Sequence, residues 1–270
     1  MIDMFNKIKL TEETQKHFAP PPPWWDMELS NEAIDHLWDI IDLQQGPNPT
    51  DVQSSLAGNI SKSSFIQDKE NWFYENILKQ MSESYYCKSW DNYYDIVVSK
   101  SKPMPKFELK QIWSNFQKQH EFNPPHYHAG LYSFVIFMKI PTHWKEQHAL
   151  PISANSTVPS ASNFQFIQAF PGSPIVKTHD IPLSPEDEGR MLFFPSWLMH
   201  QVFPFYGTEE ERITLSGNII IQGSGEQHSL KEKEAVLAEM ENQMKTFKEV
   251  IKQEKKIGGI APQIDLVSKV

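Results

Sequence analysis

The feature that most constrains the fold is a series of short aromatic and β-branched runs in the second half of the chain. Clusters of Pro, Gly, Ser and Asn separate these runs, as turns separate strands. Strands at such short intervals indicate a β-sandwich or jelly roll rather than alternating βα units. The runs are Phe107–Phe116, Leu131–Ile140, Asn163–Phe170, Arg190–Phe194 and Arg212–Ile221.

Helices are predicted on both sides of this β region. Ser30 is a candidate N-cap for a helix over Asn31–Asp42, and Asp68–Tyr86 predicts a second helix. The charged segment Glu226–Lys256 has apolar residues three and four apart, which predicts a helix that packs on its own domain or, alternatively, forms a homodimer contact. The expected divisions are an N-terminal arm with helices at 1–106, a β core at 107–222, and a C-terminal helix and tail at 226–270.

Composition limits the classes of partner. A formal net charge of −9 disfavours a general nucleic-acid binder, which would neutralise phosphates with Lys and Arg. Cys87 is the single cysteine, so the chain can form neither an internal disulfide nor a thiolate metal cluster. Met1–Lys9 has no apolar segment typical of a signal peptide, and no run approaches the ~20 apolar residues of a membrane span. We therefore expect a soluble cytoplasmic protein without a membrane partner.

A His-x-His pair is the strongest indication of chemistry. Side chains alternate across an extended segment, so His126 and His128 point the same way, with Cα atoms about 6.6 Å apart. Both imidazoles can then bind one metal ion. A third histidine from a distant strand, His200, would complete three ligands and leave other positions open, as a catalytic metal site requires.

The last run of the β region has a polar face. Arg212 and every second residue up to Asn218 are polar, while the residues between them are apolar or glycine. An arginine beside hydroxyl groups suits a carboxylate, because the guanidinium and the hydroxyl both donate hydrogen bonds to it. Candidates for lining the pocket are Tyr127, Tyr132, Ser216 and Asn218.

These motifs resemble the iron- and 2-oxoglutarate-dependent oxygenases. The resemblance rests on His-x-His before a Ser-containing apolar strand, on Phe-Pro-Ser-Trp-Leu-x-His ending at His200, and on Arg-Ile-Thr-Leu-Ser-x-Asn beginning at Arg212. It covers about residues 107–222 and is strongest to a poorly characterised branch found in bacteria and their phages. It implies a mainly β fold with flanking helices, a double-stranded β-helix of the jelly-roll, cupin-like type. A phage-encoded member would act in the host cytoplasm.

The resemblance also implies an activity and roles for individual residues. Family members bind Fe(II) and use 2-oxoglutarate and dioxygen to hydroxylate or otherwise oxidise a C–H bond, releasing succinate and carbon dioxide. His126 and His200 match metal ligands, and His128 stands where the family usually has a carboxylate ligand. Arg212 matches the residue that pairs with the distal carboxylate of 2-oxoglutarate, with Thr214 as its hydroxyl partner. No catalytic residue beyond the metal site is implied.

Several alternatives stay open. In a shifted register His128 would pair with Gly130, and a halide would fill the vacant ligand position. A carboxylate such as Asp180 could instead reach the metal from elsewhere. A cupin-type metal enzyme usually has Glu four to six residues after His-x-His, and residues 129–134 contain no acid. A non-catalytic structural or binding protein on the same fold is a further alternative. No residue pattern identifies the substrate.

Overall fold

Antiparallel strands make up most of the secondary structure in the computed structural model, which describes residues 22–44, 50–169 and 176–223. The strands are β1 (Trp25–Glu28), β2 (Ser63–Ile66), β3 (Phe107–Gln117), β4 (Asn123–His126), β5 (Tyr132–Lys139), β6 (Phe164–Ala169), β7 (Val176–Ile181), β8 (Arg190–Pro195), β9 (Met199–Val202) and β10 (Arg212–Ile221). The α-helices are α1 (Asn31–Gln44), α2 (Lys79–Tyr86), α3 (Trp90–Tyr93) and α4 (Trp144–Ala149).

The strands form two sheets. The larger has the order β1-β8-β5-β10-β3-β2, and the smaller has the order β4-β9-β6-β7. Every strand pair is antiparallel. The fold is the expected double-stranded β-helix, mainly β with flanking helices, and the five predicted runs correspond to β3, β5, β6, β8 and β10.

The larger sheet is apolar on both faces because one face packs against helices and the other packs against the smaller sheet. Along β8, Met191 and Phe193 belong to a core cluster shared with the helices, whereas Leu192 and Phe194 belong to a second cluster shared with the smaller sheet. This alternation explains why the strand reads as a continuous apolar run rather than an apolar–polar one. Each buried Leu, Ile or Phe side chain stabilises the fold by roughly 1.5–3 kcal/mol.

Helices α1 and α2 cover the outer face of the larger sheet. The Ser30 hydroxyl accepts a hydrogen bond from the Ala33 N–H at 3.3 Å, as its predicted capping role requires. Helix α1 then buries Leu37, Ile40 and Ile41. The second predicted helix is interrupted, because a 3₁₀ turn and a π turn precede α2. The Asp68 carboxylate accepts hydrogen bonds from two backbone N–H groups at the start of this segment.

Contacts divide the chain into two units, residues 1–221 and 222–270. The helix predicted over 226–256, and with it the homodimer contact, lies outside the described residues. Within the described ranges, no helix has both the length and the apolar character needed to cross a bilayer.

Candidate metal centre

Strands β4 and β9 bring the predicted histidines together. They pair antiparallel, with His126 opposite His200. Strand β4 is at the edge of its sheet, where prolines such as Pro124 cost no ladder hydrogen bond. His128 follows β4, and its backbone N–H donates to the Ser196 carbonyl at 2.9 Å. The potential ligand atoms of the three histidines all lie within 4.8 Å of one another.

Hydrogen bonds to the backbone fix the tautomer of two rings. His126 Nδ1 lies 2.7 Å from the Pro124 carbonyl oxygen, and His200 Nδ1 lies 2.9 Å from that of Leu198. A carbonyl can only accept, so each Nδ1 carries the hydrogen and each Nε2 keeps a free lone pair. This arrangement, with the distal nitrogen bonded to a carbonyl, orients metal-binding histidines in proteins.

The surroundings keep the three imidazoles neutral. Burial lowers the pKa of His126. Burial, and secondarily the charge of His126, lower the pKa of His128 to about 4. Burial and then the two neighbouring rings lower the pKa of His200 well below its ordinary value. Neutral imidazole is the form that binds a metal, so the cluster is ready for a cation at neutral pH.

Aromatic residues of the inter-sheet core hold the His200 ring. Phe164 stacks on it with ring centroids 5.5 Å apart and planes inclined by 17°, and Phe194 meets it edge-on at 4.9 Å. Phe164 follows a turn and begins β6, the neighbour of β9. The ring therefore has little freedom to leave the cluster.

Arg212 lies in the same cavity, of about 50 Å³, as the three histidines. It is fully buried, and its Nη2 donates to the Ser162 carbonyl at 2.9 Å and to the Ser162 hydroxyl at 2.6 Å. Its Nε and Nη1 have no hydrogen-bond partner among the residues that the structure describes. Burial lowers the pKa of Arg212 to about 9, which still leaves the guanidinium charged at neutral pH. No carboxylate within the described ranges pairs with this charge.

A row of hydrogen-bonded polar side chains lies beside the arginine. The Ser63 hydroxyl donates to Asn115 Oδ1 at 2.8 Å, and Asn115 Nδ2 donates to Thr214 Oγ1 at 3.4 Å. Asn115 and Thr214 both line the cavity. Because the Thr214 oxygen accepts from Asn115, its own hydrogen is available to a ligand.

The structure places the other predicted pocket residues differently. Ser216 lines the cavity, but three of the candidates do not. Tyr127 alternates with the histidines and so faces outward, 67% exposed. Tyr132 is buried in the cluster shared with the helices, and the side-chain Oδ1 of Asn218 accepts a hydrogen bond from the Ser133 hydroxyl. The pocket-lining role of these three residues therefore stays a prediction, because none of them lines the cavity of the three histidines and Arg212.

The alternative ligand sets are not assembled. Asp180 accepts hydrogen bonds from Asn163 and Gln165, at 3.3 and 3.0 Å, and is not part of the histidine cluster. Gly130 does not line the cavity. Among the His, Cys, Asp and Glu residues within the described ranges, the three histidines alone are close enough together to share one ion.

Part of the cavity wall was not predicted. Residues Leu56, Ala57, Gly58 and Ile60 line it, although they precede the β core by some fifty positions. Asn59 joins this segment to the core through a hydrogen bond from its N–H to the Phe122 carbonyl at 2.8 Å. Strand β3 contributes Trp113, Asn115 and Gln117, a period-two face whose two polar members could have been noticed in the sequence.

Comparison with known families agrees with this geometry. Residues 111–218 match the family model described as "Putative 2OG-Fe(II) oxygenase". The matched segment contains the three histidines, Arg212 and Thr214. Among curated proteins, no sequence matches the chain.

Solved structures similar to this one include two prolyl hydroxylases. The Pseudomonas putida prolyl-4-hydroxylase is 14% identical, with a TM-score of 0.43 over 74% of this chain and 94% of that one. The viral collagen prolyl hydroxylase of Paramecium bursaria Chlorella virus-1 is 14% identical, with a TM-score of 0.40 over 74% and 96%. HygX of Streptomyces hygroscopicus, with nickel, 2-oxoglutarate and hygromycin B bound, is 10% identical, with a TM-score of 0.39 over 79% and 88%.

Proposed function

We propose, for this 2-oxoglutarate- and Fe(II)-dependent oxygenase, that His126, His128 and His200 hold the iron while Arg212 holds 2-oxoglutarate. The reaction we propose is hydroxylation of a substrate C–H bond. The observation that carries the residue assignment is the fully buried Arg212, which has two unpartnered nitrogens in the same cavity as the three histidines.

The donor set fits Fe(II). Imidazole nitrogen suits iron, and His126 and His200 each present a free Nε2 lone pair. Three neutral ligands add no negative charge, in contrast to a set of two histidines and a carboxylate. We propose that His128 binds the metal directly, at the position where the family usually has a carboxylate.

The arginine fits a dicarboxylate. A buried guanidinium without a carboxylate partner carries an uncompensated charge, which costs free energy unless an anion binds beside it. The distal carboxylate of 2-oxoglutarate would accept hydrogen bonds from the free Arg212 nitrogens. The Thr214 hydroxyl, with its hydrogen available, would add another donor.

The roles of the protein residues follow from their positions. When bound, Fe(II) and 2-oxoglutarate supply oxidation of a C–H bond by dioxygen, with release of succinate and carbon dioxide. The histidines orient the metal, and Arg212 sets the depth at which 2-oxoglutarate lies. Phe164 and Phe194 beside His200 exclude water from the inner wall. The protein thus supplies orientation and a dry surface, and the cofactors supply the redox chemistry.

An uncoupled turnover assay tests the proposal. Purified protein, Fe(II) and 2-oxoglutarate in air should form succinate slowly without added substrate, and the His200→Ala variant should form none above the level of free iron. Under anaerobic conditions, 2-oxoglutarate should also change the visible absorption of the Fe(II) protein. A cupin-type enzyme or a non-catalytic protein would show neither response.

We also propose a cytoplasmic site of action, which is the host cytoplasm if a phage encodes the chain. The single Cys87 supports this location, since a reducing compartment needs no disulfide framework. The apolar spacing within 226–256 supports a homodimer contact through that segment.

A further inference from the structure

We propose that Ser162 is a positioning residue that aims the Arg212 guanidinium at the carboxylate of 2-oxoglutarate. This inference rests on the proposed function, because it concerns how that ligand is held. Ser162 lies in the turn before β6, a segment for which no role was predicted.

Within the described part of the chain, Ser162 accepts every hydrogen bond that the Arg212 side chain donates. A guanidinium has five N–H donors, two of them on Nη2. Both acceptors of Nη2 belong to Ser162, its carbonyl at 2.9 Å and its hydroxyl at 2.6 Å. The three N–H groups on Nε and Nη1 therefore remain for a ligand. The Phe205 ring lies beneath the guanidinium, 5.0 Å from Arg212 Cζ.

The backbone at Ser162 is held in a costly conformation. Its φ is +72°, in the left-handed region that favours glycine, and the residue is fully buried. The Ser162 N–H donates to the Pro204 carbonyl, and the Phe203 N–H donates to the Asn163 carbonyl, each at 2.9 Å. These bonds fix the turn from both sides. Glycine would adopt this φ more easily. We therefore attribute the presence of serine at this position to the hydrogen bonds of its hydroxyl.

The hydroxyl is itself oriented. Ser162 Oγ lies 3.4 Å from Thr142 Oγ1, so it can donate there while it accepts from Arg212. The next residue but one, Phe164, stacks on His200. One turn thereby fixes both the arginine and a face of the metal ligand His200, which sets the separation between the groups that would bind the two ends of 2-oxoglutarate.

Binding to the Mn(II)-loaded protein tests the inference without turnover. Ser162→Gly removes the hydroxyl and also relieves the backbone strain of the positive φ. Ser162→Ala removes the hydroxyl but keeps that strain. Both should raise the Kd for 2-oxoglutarate about tenfold in calorimetry, because a misaligned guanidinium would lose the equivalent of one charge-assisted hydrogen bond to the ligand carboxylate. The affinity for Mn(II) should not change. Binding of 2-oxobutyrate, which lacks the distal carboxylate, should not change either.

Ser82→Ala is the control variant, since the hydroxyl of that buried serine donates to the Leu78 carbonyl and Ser82 does not line the cavity.

A double variant separates positioning from general damage. In the Arg212→Met background, Ser162→Gly should cause no further loss of affinity, because the serine acts through the arginine. An additive loss, or wild-type affinity in both serine variants, would overturn the role of Ser162. If instead the wild-type protein fails to bind 2-oxoglutarate, or Arg212→Met binds it normally, the proposed function itself is wrong. Thermal unfolding of Ser162→Gly verifies that the variant is folded.

Discussion

Replacing Arg212 by methionine should abolish 2-oxoglutarate binding while leaving the fold intact. Methionine has a similar length and packs adaptably in a core. The apo protein loses the two hydrogen bonds to Ser162, but it also loses a buried charge with two unsatisfied nitrogens. These effects oppose each other, so we expect the free energy of unfolding to change by less than about 2 kcal/mol.

The loss of affinity is much larger because only the ligand complex uses the free donors. Two charge-assisted hydrogen bonds to a carboxylate contribute roughly 3–6 kcal/mol, which corresponds to a ~10²- to 10⁴-fold increase in Kd. Calorimetry with the Mn(II)-loaded protein measures this Kd, and urea denaturation of the apo protein measures stability. An affinity within threefold of wild type would refute the reasoning, as would a variant that does not fold.

Three further predictions concern the metal site and the core. Mn(II) at 100 times its Kd should stabilise the protein by about 2.7 kcal/mol, and His126→Ala should remove this effect in a thermal melt. Asp180→Asn should leave Mn(II) affinity within twofold of wild type in equilibrium dialysis, whereas a larger loss would make Asp180 a ligand. Gly217→Ala places a Cβ 2.5 Å from Phe134 Cζ and 2.8 Å from a backbone oxygen. It should lower the free energy of unfolding by ~1–3 kcal/mol in urea, and an unchanged midpoint would contradict the packing around β10.

The sequence predicts the parts of the fold that have strong local patterns. The apolar runs of β5 and β8 mark strands because each is buried on both faces. The His-x-His spacing predicts two imidazoles on one side of an extended segment, and their ligand atoms do lie within 4.8 Å of each other, although β4 ends at His126. Alternation of side chains along the same segment predicts that Tyr127 faces away from the two histidines, and its side chain is exposed in the structure.

The remaining parts depend on contacts that are distant in sequence. Strands β1 and β2 have only four residues each and form by pairing with β8 and β3, which no local pattern reports. The left-handed φ of Ser162 arises from hydrogen bonds to the segment before β10. Its contact with Arg212 spans fifty residues and becomes visible only in the folded chain.

The most direct test of the central claim is a crystal structure of the protein with Mn(II) and 2-oxoglutarate. The account predicts a metal ion bound by His126, His128 and His200, with no protein carboxylate as a ligand. It also predicts the distal carboxylate of 2-oxoglutarate on the Arg212 nitrogens that Ser162 does not engage. A metal bound by Asp180, or a 2-oxoglutarate carboxylate held away from Arg212, would contradict it.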